Sequence, residues 1–189
     1  MKRLGHLAII AHDMGLIFEF LALITLVPFI VLILFREWEM IIPMGAVPFI
    51  FIVTGLLISR VPKKAYTPSL SVALVAVALT WLAIAAVGAV PFVLALDLSW
   101  TNSIFEAMSG WTGTGFTMMT SLDTMPRTLI FWRSFMQWVG GIGVIAFGIA
   151  MLSRSGLTQI QLYRSEGRSE ELMPSVVSTG RRMWAIYVF

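Results

Sequence analysis

Asp97-Leu98-Ser99-Trp100-Thr101-Asn102-Ser103-Ile104-Phe105-Glu106-Ala107-Met108-Ser109-Gly110-Trp111-Thr112-Gly113-Thr114-Gly115-Phe116-Thr117 decides how the chain is read. Asp97 and Ser99 offer N-cap oxygens, Asp97 reading most simply as a cap and otherwise as an outer-mouth acid that concentrates cations, and the run from Trp100 to Ser109 can continue as a helix. Such a helix of about 11 residues is about 17 Å long, half of a bilayer core. It is too apolar for an exposed loop and too short to span. The glycines that follow, Gly110, Gly113 and Gly115, permit positive φ without a Cβ penalty, and threonines supply hydroxyls. Ser121, Asp123, Thr124 and Pro126 form a polar return. Irregular backbone at membrane depth survives only where it is buried in protein or lines a watery path, so the segment predicts a re-entrant hairpin, helix in and coil back out. The half-helix C-terminus carries partial negative charge, and the coil's free carbonyls can replace the hydration shell of a monovalent cation, with threonine hydroxyls adding to that cage.

The surrounding composition puts this hairpin in lipid. Hydrophobic residues make up 58% of the 189 positions and charged residues 12%, far too apolar for a soluble domain of this size. Four segments reach the length of about 20 residues that a bilayer requires: Met14–Phe35, Met40–Ser59, Leu70–Leu96 and Thr128–Leu152. Arg36-Glu37-Trp38-Glu39 and Arg60-Val61-Pro62-Lys63-Lys64 are the polar breaks between the first three. Pro43 falls in a first helical turn, while Pro48 and Pro91 are expected to kink their helices. With the N-terminus cytoplasmic, ten of the 13 Lys and Arg residues lie inside, and only Arg36, Arg127 and Arg133 lie outside. Lys2 and Arg3 before an apolar run resemble a signal peptide, but the run is too long and no small-residue cleavage site follows.

Several functional classes have little to stand on. There are no cysteines, hence no disulfides, thiolate metal sites or cysteine nucleophile. His6 and His12 read as interfacial polar residues rather than metal ligands. No basic, aromatic-interleaved surface points to nucleic acid. No paired carboxylates or activated nucleophile suggest an enzyme, and no cofactor motif is complete: Gly113 and Gly115 lack the strand and Gly-Lys-Ser/Thr of a phosphate loop. From the residues alone, a flexible turn between helices, a transporter of another solute and a non-transporting subunit stay open beside a cation pore.

Blocks in register add a resemblance. Phe105-Glu106-Ala107-Met108-Ser109-Gly110-Trp111-Thr112-Gly113-Thr114-Gly115-Phe116-Thr117 resembles the first pore loop of the Trk/Ktr/HKT potassium transporters. Phe131-Trp132-Arg133-Ser134, Gln137-Trp138-Val139-Gly140-Gly141-Ile142-Gly143 and Gln161-Leu162-Tyr163-Arg164-Ser165-Glu166 are similar to the TrkH branch. The resemblance implies an all-α integral membrane fold: two leading transmembrane helices, then one helix–re-entrant pore loop–helix repeat, part of a four-repeat pore. The leading pair is residues 1–66, the repeat 67–153, a cytoplasmic connector 154–182, and the start of a further transmembrane helix 183–189. One loop is a quarter of a ring, so the chain reads as the front part of a longer protein.

The same resemblance assigns Thr112, Gly113, Thr114 and Gly115 to a K+ selectivity filter, through their backbone oxygens. Glycine at 115 matches the family's filter glycine and goes with potassium, whereas serine there goes with sodium in plant relatives. Gly113 departs from the threonine of many TrkH members. Potassium uptake across the plasma membrane is the implied activity. Implied partners are lipid, a cytosolic nucleotide-binding regulatory subunit of the TrkA/KtrA type, and a second copy in a homodimer of the full-length chain. Arg133 is read as a structural cation that holds the pore helix through Glu106 or Asp123, because a positive charge facing the filter would repel cations. Gly140, Gly141, Gly143 and Gly148 read as a close-packing stripe.

Overall fold

A computed structural model of the chain describes residues 2–61, 70–120, 122–143 and 185–186. Helices α1 (Lys2–Ile24), α2 (Pro28–Phe35), α3 (Ile41–Ser59), α4 (Leu70–Gly88), α5 (Val90–Leu96) and α6 (Trp100–Trp111) follow in order. Residues 127–143 form a further helix, α7. There is no strand among the described residues, so the all-α reading holds. The chain divides into two compact units, residues 1–137 and 138–189, and helices α1 to α6 with the first part of α7 make up the first. Residues 144–152 of the fourth span, the connector 154–182 and, apart from 185–186, the segment 183–189 lie outside the described residues.

Three helical stretches are long and apolar enough to cross a membrane: Ile10–Phe35, Trp38–Ser59 and Ser71–Leu96. Two are broken at prolines. Pro28 offers no N–H to the preceding turn, so α1 ends at Ile24 and a turn leads into α2, with Val27 N–H bonding the Ile24 carbonyl at 3.0 Å. The Thr25 hydroxyl stays in the break and donates to the carbonyl of Leu21 at 2.8 Å. The sequence reads as an unbroken span here, and the proline interrupts it. In the third stretch Pro91 separates α4 from α5, as expected, while α3 runs continuously through Pro48. Outward-facing side chains such as Leu34, 71% exposed, and Ile42, 77% exposed, suit hydrocarbon as their solvent.

α1 packs along α3. Their contact includes a tilted Phe18–Phe51 pair with centroids 5.4 Å apart. Near its end the polar groups meet each other: His12 Nδ1–H donates to the Ser59 carbonyl at 2.7 Å, and the Ser59 hydroxyl donates to Glu19 Oε1 at 2.6 Å. Glu19, in the first span, thus finds a hydrogen-bond donor on a neighbouring helix.

The break at Pro91 is used by α6 and α7. The Gly88 carbonyl accepts the Trp132 indole N–H at 3.1 Å, so a side chain from α7 satisfies backbone at the break between α4 and α5. Trp111, at the end of α6, sits over the same turn and packs edge-on against Trp132, with centroids 6.0 Å apart. A Cβ on Gly88 would stand 2.5 Å from Trp111 Nε1 and 3.1 Å from Met136 Sδ. Gly88→Ala is therefore expected to destabilise the protein by about 1–3 kcal/mol through overpacking. Thermal unfolding in detergent checks this, and an unchanged midpoint would contradict the contact.

The N-terminal end of α7 is held from far away in sequence. The Glu37 carboxylate, between α2 and α3, accepts Arg127 N–H at 2.7 Å on Oε1 and Thr128 N–H at 2.8 Å on Oε2. These are two of the orphan donors that every helix N-terminus leaves, next to the positive end of its dipole. The Arg127 guanidinium also lies 4.6 Å above the Phe35 ring. Partial desolvation pushes the Glu37 carboxyl upward, but hydrogen bonding from Thr128 and Arg127 and the Arg127 charge outweigh it, so its pKa falls below the ordinary 4.5. A lowered folded-state pKa means the stabilisation is complete above the unfolded value and disappears as pH falls through the folded one. The midpoint difference between wild type and Glu37→Gln should thus be constant near neutrality and shrink below pH 4.5. A difference that persists unchanged in acid would contradict the charged cap.

Candidate pore loop

α6 spans 12 residues, hence about 18 Å, half the hydrocarbon thickness. Its N-cap is Ser99, whose Oγ accepts the Asn102 N–H at 3.3 Å. Asp97, the cap suggested by the sequence, instead closes α5 in the left-handed region at φ 52°. The correction has a simple cause: the three-residue link leaves only Ser99 one position ahead of the first helical turn. α6 packs mainly against α4 and buries Ser103, Glu106, Ala107, Ser109, Gly110 and Trp111, leaving Trp100, Ile104 and Phe105 outward.

The helix ends in a Schellman motif. Gly113 N–H bonds the Gly110 carbonyl at 3.0 Å and Thr114 N–H bonds that of Ser109 at 3.1 Å. The motif needs a left-handed residue, which Gly113 supplies at φ 72°; Gly115 follows at φ 84°. A threonine at 113 would be strained in this backbone, which explains glycine there in this chain. The Thr112 hydroxyl donates to the Met108 carbonyl at 2.8 Å and is hydrogen-bonded to the Thr114 hydroxyl. These hydroxyls are therefore engaged with the helix end and with each other. Among the described residues nothing donates to the carbonyls of Thr112, Gly113, Thr114 or Gly115, and all four residues are exposed.

Beyond Gly115 the chain is stitched back to α6. The Phe116 carbonyl accepts the Ser109 hydroxyl at 2.6 Å. Glu106 is fully buried on α6 and its carboxylate gathers three donors. Arg133 Nε–H reaches Oε1 at 2.6 Å, while the Thr117 hydroxyl and Met118 N–H reach Oε2 at 3.0 and 2.7 Å. The Arg133 guanidinium spans further, to the Phe116 carbonyl at 3.2 Å and Gln137 Oε1 at 3.3 Å. Of the two acids suggested for Arg133, Glu106 is the one it meets. One ion pair thus joins α6, the returning coil and α7. Sequence reasoning misses Glu37, whose contacts lie 90 and 91 residues away; no local signal distinguishes it from an ordinary interhelical acid.

These elements describe a helical membrane protein with a half-length helix and glycine loop, and sequence comparison gives its class. The sequence model of TrkH, described as a cation transport protein, matches residues 39–189. The chain belongs to the TrkH family of cation transport proteins and is a multi-pass membrane protein. It is 36% identical over 186 residues to an uncharacterised cation transporter of Methanocaldococcus jannaschii, covering 95% of this chain and 38% of that protein. It is 36% identical over 118 residues to the Trk system potassium uptake protein TrkH of Escherichia coli, covering 59% of this chain and 24% of that one. With TrkG of Escherichia coli, another Trk system potassium uptake protein, the identity is 24% over 189 residues, covering 97% and 39%. The chain thus spans about two fifths or less of the curated relatives it matches.

Breaking the ion pair leaves a charge buried. Arg133→Gln is expected to cost about 3–5 kcal/mol, and Glu106→Gln/Arg133→Gln together less than the sum of the two single changes. Unfolding midpoints of the four proteins form the cycle, and strict additivity would contradict direct coupling.

Proposed function

We propose that the chain contributes a cation-selecting pore loop to a Trk-type potassium uptake protein. The observation that carries the reading is the run of four consecutive carbonyls, Thr112 to Gly115, that receive no donor among the described residues and lie at the C-terminal end of a half-length helix. Carbonyl oxygens so placed can substitute for the water around K+, and the negative end of the α6 dipole favours the cation. The loop is one part of a ring that further loops of the same kind complete. Glu106 and Arg133 support it from behind, with the arginine charge neutralised by the carboxylate rather than turned on the ion. Flux then follows the electrochemical gradient, with the N-terminus cytoplasmic by the distribution of Lys and Arg. A nucleotide-binding regulatory subunit docking from the cytosol and a homodimer are the partners that the family resemblance supports, and K+ is the transported ion.

The left-handed backbone at Gly115 makes this testable. A side chain there meets no atom within 4 Å among the described residues, yet φ 84° is unfavourable for any L residue. Gly115→Ser should turn the peptide and move its carbonyl. In a bacterium lacking potassium uptake, the protein is expected to restore growth on low potassium, and Gly115→Ser to lower K+ over Na+ discrimination at equal membrane abundance. Unchanged ion ratios would overturn the filter assignment.

A further inference from the structure

We propose that Glu37, in the loop joining the leading helices, is a positioning residue for ion selection: its carboxylate fixes the N-terminus of α7, and through Arg133 the seat of the filter. The proposal rests on the reading of Thr112–Gly115 as that filter.

The path is short and every link in it is a hydrogen bond or a helix. Glu37 Oε1 and Oε2 each take one backbone N–H, at 2.7 and 2.8 Å, so the carboxylate grips Arg127 and Thr128 as a fork. A fork resists both sliding and rotation of the helix end, which a single bond would allow. Arg133 lies six residues after Arg127, about 9 Å further along the same helix. Its guanidinium is committed at once to Glu106 on α6 and to the Phe116 carbonyl, the first oxygen after the filter run. A shift of α7 along its axis cannot keep both of those bonds. It strains the Phe116 end of the loop, where Arg133 shares the carbonyl with Ser109 of α6, or pulls on Glu106 and its bonds to Thr117 and Met118. The run between Thr114 and Phe116 is thus held at one end by the Schellman bonds of α6 and at the other by two donors, the Ser109 hydroxyl of α6 and the Arg133 guanidinium whose position α7 sets.

The loop carrying Glu37 is itself built to hold that residue in place. Arg36 adopts the left-handed conformation at φ 56°, where an L residue with a side chain is disfavoured. Its strain is offset by a helix-closing bond, from Glu37 N–H to the Leu32 carbonyl at 3.1 Å. Glu37 therefore leaves α2 in a fixed direction, with its own backbone donor occupied. The Arg127 guanidinium over Phe35 ties the same two segments a second time. The arrangement gives the leading helices, which contribute no residue to the loop, a direct hold on filter geometry.

The experiment compares wild type, Glu37→Gln, Glu37→Asp, Glu39→Gln and Gly115→Ser, each expressed in a bacterium lacking potassium uptake and matched for abundance in the membrane. Rubidium uptake is measured with increasing competing Na+ or K+, giving an ion ratio that a merely structural tie would not move. Glu37→Gln replaces one acceptor by a donor facing a backbone N–H, and is expected to lower the K+ over Na+ preference by about threefold or more. Glu37→Asp keeps the charge on a shorter arm and should give a smaller loss, whereas exposed Glu39→Gln should match wild type. Glu37→Gln that transports less but with a wild-type ion ratio overturns the proposal. Should Glu37→Gln fail to reach the membrane, Glu37→Asp decides, and a wild-type ratio there overturns it. A shifted ratio in Gly115→Ser beside unshifted Glu37 variants sinks only the Glu37 proposal. No shift in Gly115→Ser as well sinks the filter reading itself.

Discussion

A carboxylate without access to water has to be surrounded by donors, and the Glu106 carboxylate imposes that condition on everything near the loop. It lies on the buried face of a helix too short to cross the membrane. Its charge draws in the Arg133 guanidinium from α7, and its second oxygen draws in Thr117 and Met118 from the returning coil. Desolvating the pair is costly, and the network is favourable only when all its donors are in place. Three segments that share no continuous secondary structure are thereby locked into one arrangement. In the loop they enclose, nothing among the described residues donates to the carbonyls of Thr112 to Gly115.

The glycine loop owes its shape to two separate causes. Gly113 is left-handed because a Schellman motif closes α6 there, and this would hold in any soluble protein. Gly115 is left-handed one step beyond the motif, where no bond of the helix end requires it. The alternation turns successive peptides so that the run stays open and unpaired. Behind it, Trp111 and Trp132 fill the space against the Pro91 break, so the support on that side is bulky and rigid. The freedom of the carbonyls is thus confined to the loop itself, on a base with little room to shift.

Much of this is legible in the sequence, for reasons that are local. Span lengths, the half-length helix and the glycine spacing depend on residues close together in the chain, and the Pro91 break follows from a missing N–H. Local ambiguity explains two departures. Asp97 and Ser99 are both good caps, and the helix starts from Ser99; Pro28 reads as part of a continuous span although it interrupts one. The ion pair is half legible, since burial of an arginine demands an acid but does not say which of Glu106 and Asp123 will supply it. Glu37 is not legible at all. Its partners are backbone N–H groups 90 and 91 residues away, and backbone donors leave no trace in residue identity.

The proposal that this loop selects ions turns on where the cation sits. Anomalous diffraction from crystals of the protein grown with Rb+ in place of K+ locates the ion directly. The expected peak lies within coordination distance of the carbonyl oxygens of Thr112, Gly113, Thr114 and Gly115, and weakens when Na+ replaces Rb+. A Rb+ peak held by the carboxylates of Glu106 or Asp97, with none at the loop, would contradict a carbonyl filter.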